Sequence, residues 1–276
     1  MEESSPTFAD RAFLALYFGS HKLPAGICYL LRGAEMAIQS AVVGTWLGLL
    51  TPGRLRTLDA WYYNRGFGMY RDEDYNRSGF FPWEQSVVDE YFANVSSVLI
   101  PAGAGGGREA LALAKKGIQV KGYEYNPALV KVANALLQED GRPPSIESGP
   151  ADSLPPGSDQ HDGAILGWAT YSLIPGCATR IGLLKQIRAR CPEGAPLLLS
   201  FFHRPRNTAA YRMTARTANA VRTLLRRPKV EMGDTLSVTW AHYFTEQEIN
   251  EELTAGGFRP VLFKKEPYAH AVGLAA

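Results

Sequence analysis

The chain has 276 residues, 46% of them hydrophobic, and its 29 basic and 27 acidic side chains leave a formal charge of +2. This length has room for one large domain with an appendage, and the near-balanced charge argues against a general binder of polyanions. Cys28, Cys177 and Cys191 show neither paired spacing nor a C-x-x-C motif, so we expect no disulfide framework and no metal site. Together with a polar N-terminal segment that does not read as a secretory signal, these cysteines favour a cytoplasmic protein.

The first 93 residues predict helices and contain no strand–glycine–helix unit. Helical patterns cover residues 8–17, 27–50, 55–63 and 83–92, with proline–glycine turn signals between them. The stretch 27–50 is the most apolar, but Arg32, Glu35 and Gln39 interrupt it, so we expect packed helices and no membrane span. Residues 1–93 are therefore predicted to form a helical cap or lid.

A glycine-rich turn follows at Val98–Ala114, which reads VLIPAGAGGGREALALA. An apolar strand enters the turn and a helix leaves it, which brings free backbone N–H groups to an anionic ligand. A second strand ends on Glu124, twenty-one residues after Gly103, where a carboxylate can accept hydrogen bonds from both ribose hydroxyls. This pattern predicts a nucleotide-type cofactor pocket.

Strands and helices alternate through the rest of the chain. Residues 94–276 are therefore predicted to form one domain. Strands are predicted near Ser97–Ala102, Gln119–Glu124, Ser145–Ser148, Asp162–Trp168 and Ala195–Phe202, and helices at Arg108–Lys116, Pro127–Gln138 and Ala178–Arg190. A helical insertion is expected at about residues 207–230. A capping box at Thr245–Glu248 opens a last helix, and residues 258–265 and 270–275 predict an antiparallel hairpin. The alternation predicts an α/β, Rossmann-like, doubly wound sheet of seven strands.

With this terminal hairpin the chain resembles the class I S-adenosylmethionine-dependent methyltransferases, from about Tyr70 to the C-terminus. In that family the first strand ends in an acid followed by alternating glycines, and residues 101–107 match this pattern except that Pro101 replaces the acid. The resemblance implies S-adenosylmethionine as the cofactor. It also implies that Glu124 binds the ribose and that Asp152, beside Ser153, lies near the adenine.

The cofactor-binding residues implied by the glycine turn and the resemblance lie at five places in the chain. They are Ala102, Gly103, Gly105, Gly107, Glu124, Tyr125, Asp152, Ser153, Gly167, Trp168 and Tyr70. Tyr70 belongs to an aromatic-rich stretch between Trp61 and Phe92, where we expect Tyr70 or Tyr75 to close over the cofactor while most of the other rings are core.

Methyl transfer from a sulfonium needs mainly alignment and desolvation, so no strict catalytic motif is required. His203 is the first acid/base candidate, because PLLLSFFHR places it at the carboxyl end of the predicted fifth strand. Tyr171, just after the fourth strand, and His242, in WAHYFT, are the other candidates.

These features predict a methyltransferase that acts on a small molecule through an oxygen, nitrogen or carbon atom. One alternative is an NAD(P)-dependent oxidoreductase, since Gly105–Ala110 can be forced onto the G-x-G-x-x-A pattern. Another is a noncatalytic or repurposed methyltransferase fold that still binds the cofactor. Five arginines lie between Asn207 and Arg227, but a solvated helix face explains them better than a nucleic-acid surface. No Asn-Pro-Pro-Tyr type signature follows the fourth strand, which weakens the hypothesis that the chain methylates nucleobases or amides.

Overall fold

The computed structural model describes residues 25–51, 53–55, 68–205, 208–236 and 239–276, with side chains from residue 33 onward. The helical pattern predicted at 8–17, and most of that at 55–63, lie outside the described residues.

Helices and strands follow in the order that the sequence predicts, with additional strands near the end. The helices are α1 (Ala25–Leu49), α2 (Glu73–Arg77), α3 (Pro82–Tyr91), α4 (Arg108–Lys115), α5 (Pro127–Glu139), α6 (Cys177–Arg188), α7 (Ala209–Leu224) and α8 (Glu246–Ala255). The strands are β1 (Ser97–Ile100), β2 (Gln119–Glu124), β3 (Ile146–Ser148), β4 (Gly163–Leu166), β5 (Pro196–Ser200), β6 (Phe202–His203), β7 (Asp234–Leu236), β8 (Trp240–Phe244), β9 (Phe258–Lys264) and β10 (His270–Ala275). Short 3₁₀ helices span Gly68–Arg71 and Thr170–Leu173.

The main sheet has seven strands in the order β3-β2-β1-β4-β5-β10-β9. Strands β1 to β5 are parallel, and β10 is antiparallel to both β5 and β9. Successive residues of β5 pack into different cores, because Leu197 and Leu199 join the cluster on one face while Leu198 joins that on the other. Burial on both faces is typical of a doubly wound sheet, so the predicted fold class is confirmed, including the C-terminal hairpin.

A second, three-stranded sheet in the order β6-β8-β7 was not predicted from the sequence. Its strands have two, five and three residues, too short for a reliable alternating pattern. It has one consequence for the predicted site. The fifth strand of the main sheet ends at Ser200, and His203 belongs to the second sheet.

The predicted insertion forms α7, which packs along α1. Gly44 and Gly48 lie so close to α7 that a Cβ atom would come within 2.6 Å of Thr214 O and of Val221 Cβ respectively. At the C-terminal end of α1, Arg222 Nη2 donates to Leu47 O at 3.0 Å and Arg227 Nη1 donates to Leu49 O at 2.7 Å. Two of the five arginines therefore satisfy and stabilise the carboxyl end of a helix.

Among the described residues, no helix is both long enough and apolar enough to cross a membrane, α1 included.

Candidate cofactor and substrate site

A cavity of about 630 Å³ opens at the carboxyl ends of β1, β2 and β4. The sheet order reverses at β1, and open α/β sheets bind ligands at such a switch point. The walls come from the glycine turn, the end of β2, residues 150–152, residues 168–174 and the segment 70–76 that precedes the main domain.

The glycine turn uses backbone conformations that favour glycine. Gly103, Gly105 and Gly107 have φ values of +65°, +58° and +93°, in the left-handed region that other residues rarely occupy. Gly103 and Gly105 line the cavity. Gly107 instead precedes α4 and faces Ala133, whose Cβ would lie 3.0 Å from an added side chain, so its contribution is to let α4 pack against α5.

Glu124 is held at the end of β2 with both carboxylate oxygens engaged. Oε2 accepts a hydrogen bond from Gly105 N at 2.8 Å, and Oε1 accepts one from Asn126 N at 2.8 Å. The residue is only 7% exposed, and this burial raises the pKa of its carboxyl group, against the opposing effect of the backbone donors. Each oxygen keeps a second lone pair, so the carboxylate can also accept donors from a ligand in the cavity.

A short segment of the predicted cap covers the glycine turn. The Tyr70 ring lies 3.5 Å from the position of a Cβ on Gly105, and Asn76 Nδ2 donates to Tyr70 O at 3.0 Å. Asn76 is 1% exposed, and its Oδ1 has no hydrogen-bond partner among the described residues. Both residues line the cavity, so this segment, which we call the lid, covers the glycine turn and carries a buried unpaired acceptor.

Gly106 is required for this close approach. A Cβ atom there would lie 2.1 Å from Tyr70 O and 2.4 Å from Asn76 Nδ2. We therefore expect Gly106→Ala to displace the lid and to lower the free energy of unfolding in urea by about 1–3 kcal/mol. Gly182→Ala is the control, because nothing lies within 4 Å of its Cβ position. Equal stability of the two variants would contradict the proposed contact.

The turn after β4 carries the strained backbone of the site. Trp168 and Ala169 have φ values of +40° and +58°, which cost energy for residues with side chains. Ser200 Oγ holds the turn by accepting from Ala169 N at 3.1 Å. The Trp168 ring consequently faces the cavity and lies 4.8 Å from the Phe81 ring and 5.0 Å from that of Tyr268, centroid to centroid. These rings form an aromatic wall beside the cavity.

A buried ionic cluster lies under the same wall. Arg108 Nη1 and Nη2 contact Glu84 Oε2 and Oε1 at 2.6 and 2.8 Å, and Nη2 also contacts Glu109 Oε1 at 2.6 Å. The guanidinium lies 4.1 Å from the centroid of the Phe81 ring, within cation–π range. Burial raises the pKa of Glu109, although Arg108 opposes the shift. Burial likewise raises the pKa of Tyr75 to about 12, so its hydroxyl stays protonated near neutral pH.

Some of the predicted cofactor-binding residues line the cavity, and others do not. The cavity is lined by Gly103, Gly105, Glu124, Tyr125, Asp152, Trp168 and Tyr70, and among the described residues Ala102, Gly107, Ser153 and Gly167 do not line it. Sequence reasoning did not select Asn76, Arg108, Glu109, Thr170, Leu173 and Ile174, which do. For Arg108 and Glu109 the sequence did offer a signal, since this charged pair directly follows the last glycine of the turn.

None of the three predicted catalytic residues lines the cavity, as far as the described residues define it. His203 Nδ1 lies 3.1 Å from Phe244 O in the second sheet, and burial lowers its pKa. Tyr171 is fully buried, and its hydroxyl donates to Glu252 Oε2 at 2.5 Å. His242 is 2% exposed, with Nδ1 2.7 Å from Asp234 Oδ1. A catalytic role for these residues stays a prediction that their positions do not favour.

Tyr171 and His242 belong to one polar network around Arg180. Arg180 Nη2 contacts Glu252 Oε1 at 2.6 Å and Glu231 Oε2 at 2.7 Å, and Nη1 donates to Ile174 O at 3.1 Å. Ligand atoms of Glu231, Asp234 and His242 lie within 4.8 Å of one another, but Arg180 already neutralises Glu231. The network therefore joins the second sheet to the cavity wall at residues 170–174.

At the level of sequence the chain matches no family model and no curated protein. Solved structures are similar to it in fold. A methyltransferase dependent on S-adenosylmethionine from Methanosarcina mazei aligns with a TM-score of 0.58 at 21% identity, over 71% of this chain and 98% of that one. A Burkholderia thailandensis 1,6-didemethyltoxoflavin N1-methyltransferase, with substrate and S-adenosylhomocysteine bound, has a TM-score of 0.59 at 18% identity, covering 82% and 91%.

A third structure, the magnesium protoporphyrin IX methyltransferase of Synechocystis with bound S-adenosylmethionine, aligns with a TM-score of 0.51 at 17% identity, over 80% of this chain and 97% of that one. All three are similar to this chain in fold, at sequence identities of 17–21%. The chain has the fold of the class I S-adenosylmethionine-dependent methyltransferases.

Proposed function

We propose that this chain is an S-adenosylmethionine-dependent methyltransferase that acts on a small molecule. The observation that carries the proposal is the cavity at the switch point of the sheet, where a glycine turn, the buried Glu124 carboxylate and a lid converge. Two of the named neighbours are methyltransferases of 1,6-didemethyltoxoflavin and of magnesium protoporphyrin IX, which supports a small acceptor. A cytoplasmic location is part of the same proposal.

The residues present fit this cofactor. Glu124 has free lone pairs for two ribose hydroxyls, and Asp152 and Tyr125 line the adjoining part of the cavity. The unpaired Asn76 Oδ1 requires a donor, which a nucleotide or amino-acid ligand provides. When bound, S-adenosylmethionine supplies a methyl group on a sulfonium and a good leaving group.

The chain itself aligns and encloses the reactants. The lid at Tyr70–Asn76 and the strained turn at Trp168 bound the cavity on two sides. The aromatic wall of Phe81, Trp168 and Tyr268 offers ring faces to a flat or apolar acceptor. Tyr75 can donate a hydrogen bond but cannot take up a proton near neutral pH, because its pKa is about 12. We assign residues 1–93 to the cap and residues 94–276 to the methyltransferase domain.

Calorimetry with S-adenosylmethionine, S-adenosylhomocysteine and NADH tests the proposal. We expect the first two to bind and NADH not to bind. Incubation with methyl-labelled S-adenosylmethionine should then transfer label into the small-molecule fraction of a cell extract, and not into its RNA or protein. Binding of NADH alone would instead support an oxidoreductase, and cofactor binding without transfer to any fraction would support a noncatalytic protein.

A further inference from the structure

A buried ionic cluster beside the cavity contains more carboxylates than cations. Two carboxylates, Glu84 and Glu109, share the single guanidinium of Arg108. The side chains of Arg108 and Glu84 are each 2% exposed, and two hydrogen bonds join them. The second carboxylate, Glu109, is 13% exposed, and it is the one with access to a ligand.

Glu109 reaches the cavity because its neighbour is a glycine. A Cβ atom on Gly167, at the end of β4, would lie 2.7 Å from Glu109 Oε1. The missing side chain leaves room for the carboxylate between the first turn of α4 and the end of β4. Glu109 lines the cavity there, while the two hydrogen bonds from Arg108 keep Glu84 directed away from it.

The lid contributes a second acceptor to the same cavity. The Nδ2 group of Asn76 donates to Tyr70 O, which fixes the orientation of the amide and identifies Oδ1 as the free end. Oδ1 is buried and has no partner among the described residues. A buried acceptor of this kind is costly until a donor reaches it.

A carboxylate and an unpaired amide oxygen select a cation that also donates hydrogen bonds. A primary ammonium has the charge and three N–H donors. The sulfonium of S-adenosylmethionine has the charge but no donor, so it would leave Asn76 unpaired. We propose that Glu109, with Asn76 as a second acceptor, binds the α-ammonium group of the cofactor. This inference rests on the proposed function.

Binding of S-adenosylhomocysteine and of its deamino analogue, measured by calorimetry, tests the assignment. Glu109→Gln should weaken binding of S-adenosylhomocysteine by about tenfold or more, the expected loss of one charge-assisted hydrogen bond. The same variant should bind the deamino analogue as the unmodified protein does. Asn76→Ala should weaken the binding of S-adenosylhomocysteine by a smaller factor than Glu109→Gln does.

Glu139→Gln is the matched control, because this side chain is 60% exposed and lies outside the cavity. An equal loss for both ligands in Glu109→Gln, or no loss for either, would overturn the assignment while leaving the proposed function intact. If the unmodified protein binds neither S-adenosylmethionine nor S-adenosylhomocysteine, the proposed function itself fails.

Discussion

Replacing Glu124 with alanine is expected to weaken binding of S-adenosylhomocysteine by roughly a hundredfold, or about 3 kcal/mol. The variant loses two charge-assisted hydrogen bonds to the ribose hydroxyls. It also leaves Gly105 N and Asn126 N without the acceptor that orders the turn. Calorimetry measures the loss directly. Glu147→Ala is the control, since its side chain on the neighbouring β3 is 59% exposed.

The pH dependence of the same binding provides a second readout. Burial raises the pKa of Glu124 above the ordinary value of a glutamate, so its carboxylate becomes protonated at a higher pH than an exposed one. A protonated carboxyl accepts fewer hydrogen bonds, and the affinity should therefore fall as the pH is lowered through this pKa. Glu124→Ala should lack this part of the dependence. An unchanged affinity in the alanine variant would rule out Glu124 as a ribose ligand.

Substituting methionine for Arg180 should lower the free energy of unfolding by about 3–5 kcal/mol, the usual cost of breaking a buried ion pair from one side. The guanidinium is 1% exposed and contacts both Glu252, 6% exposed, and Glu231. Without it the buried Glu252 carboxylate keeps the Tyr171 hydroxyl and the Cys177 thiol as partners, and neither of them carries a compensating positive charge. Urea denaturation measures the change.

Lys185→Met on the same helix is the control for Arg180→Met, because Lys185 lies on the exposed face of α6. The double variant Arg180→Met with Glu252→Leu should recover part of the lost stability, since it no longer buries an uncompensated carboxylate. A loss below about 1 kcal/mol in the single variant, the range of exposed pairs, would show that the network contributes little. Arg180 Nη1 also donates to the backbone oxygen of Ile174, a residue that lines the cavity. Arg180→Met should therefore also weaken the binding of the cofactor.

The local sequence was enough to predict most of the residues that form the cofactor-binding part of the cavity. The left-handed positions of Gly103 and Gly105 and the final carboxylate of β2 are properties of contiguous segments, and the structure places all three at the cavity. The seven strands were likewise predictable, because buried parallel strands are continuous apolar runs between helices of regular period. Pro101 stands in the position of the family's acid, so its side chain cannot supply the acidic contact near the methionine amino group that the resemblance implies there.

Tertiary structure alone decided the rest. Tyr171 follows β4 as predicted, yet its side chain points away from the cavity because Glu252, distant in sequence, binds its hydroxyl. His203 and His242 belong to a second sheet whose strands are too short to leave a periodic pattern. Conversely, the positions of Glu109 and Asn76 at the cavity depend on long-range packing, which puts Gly167 and Tyr70 beside them. Short segments of sequence determine much of the backbone conformation. The direction and the partners of a polar side chain depend instead on residues that only folding brings near.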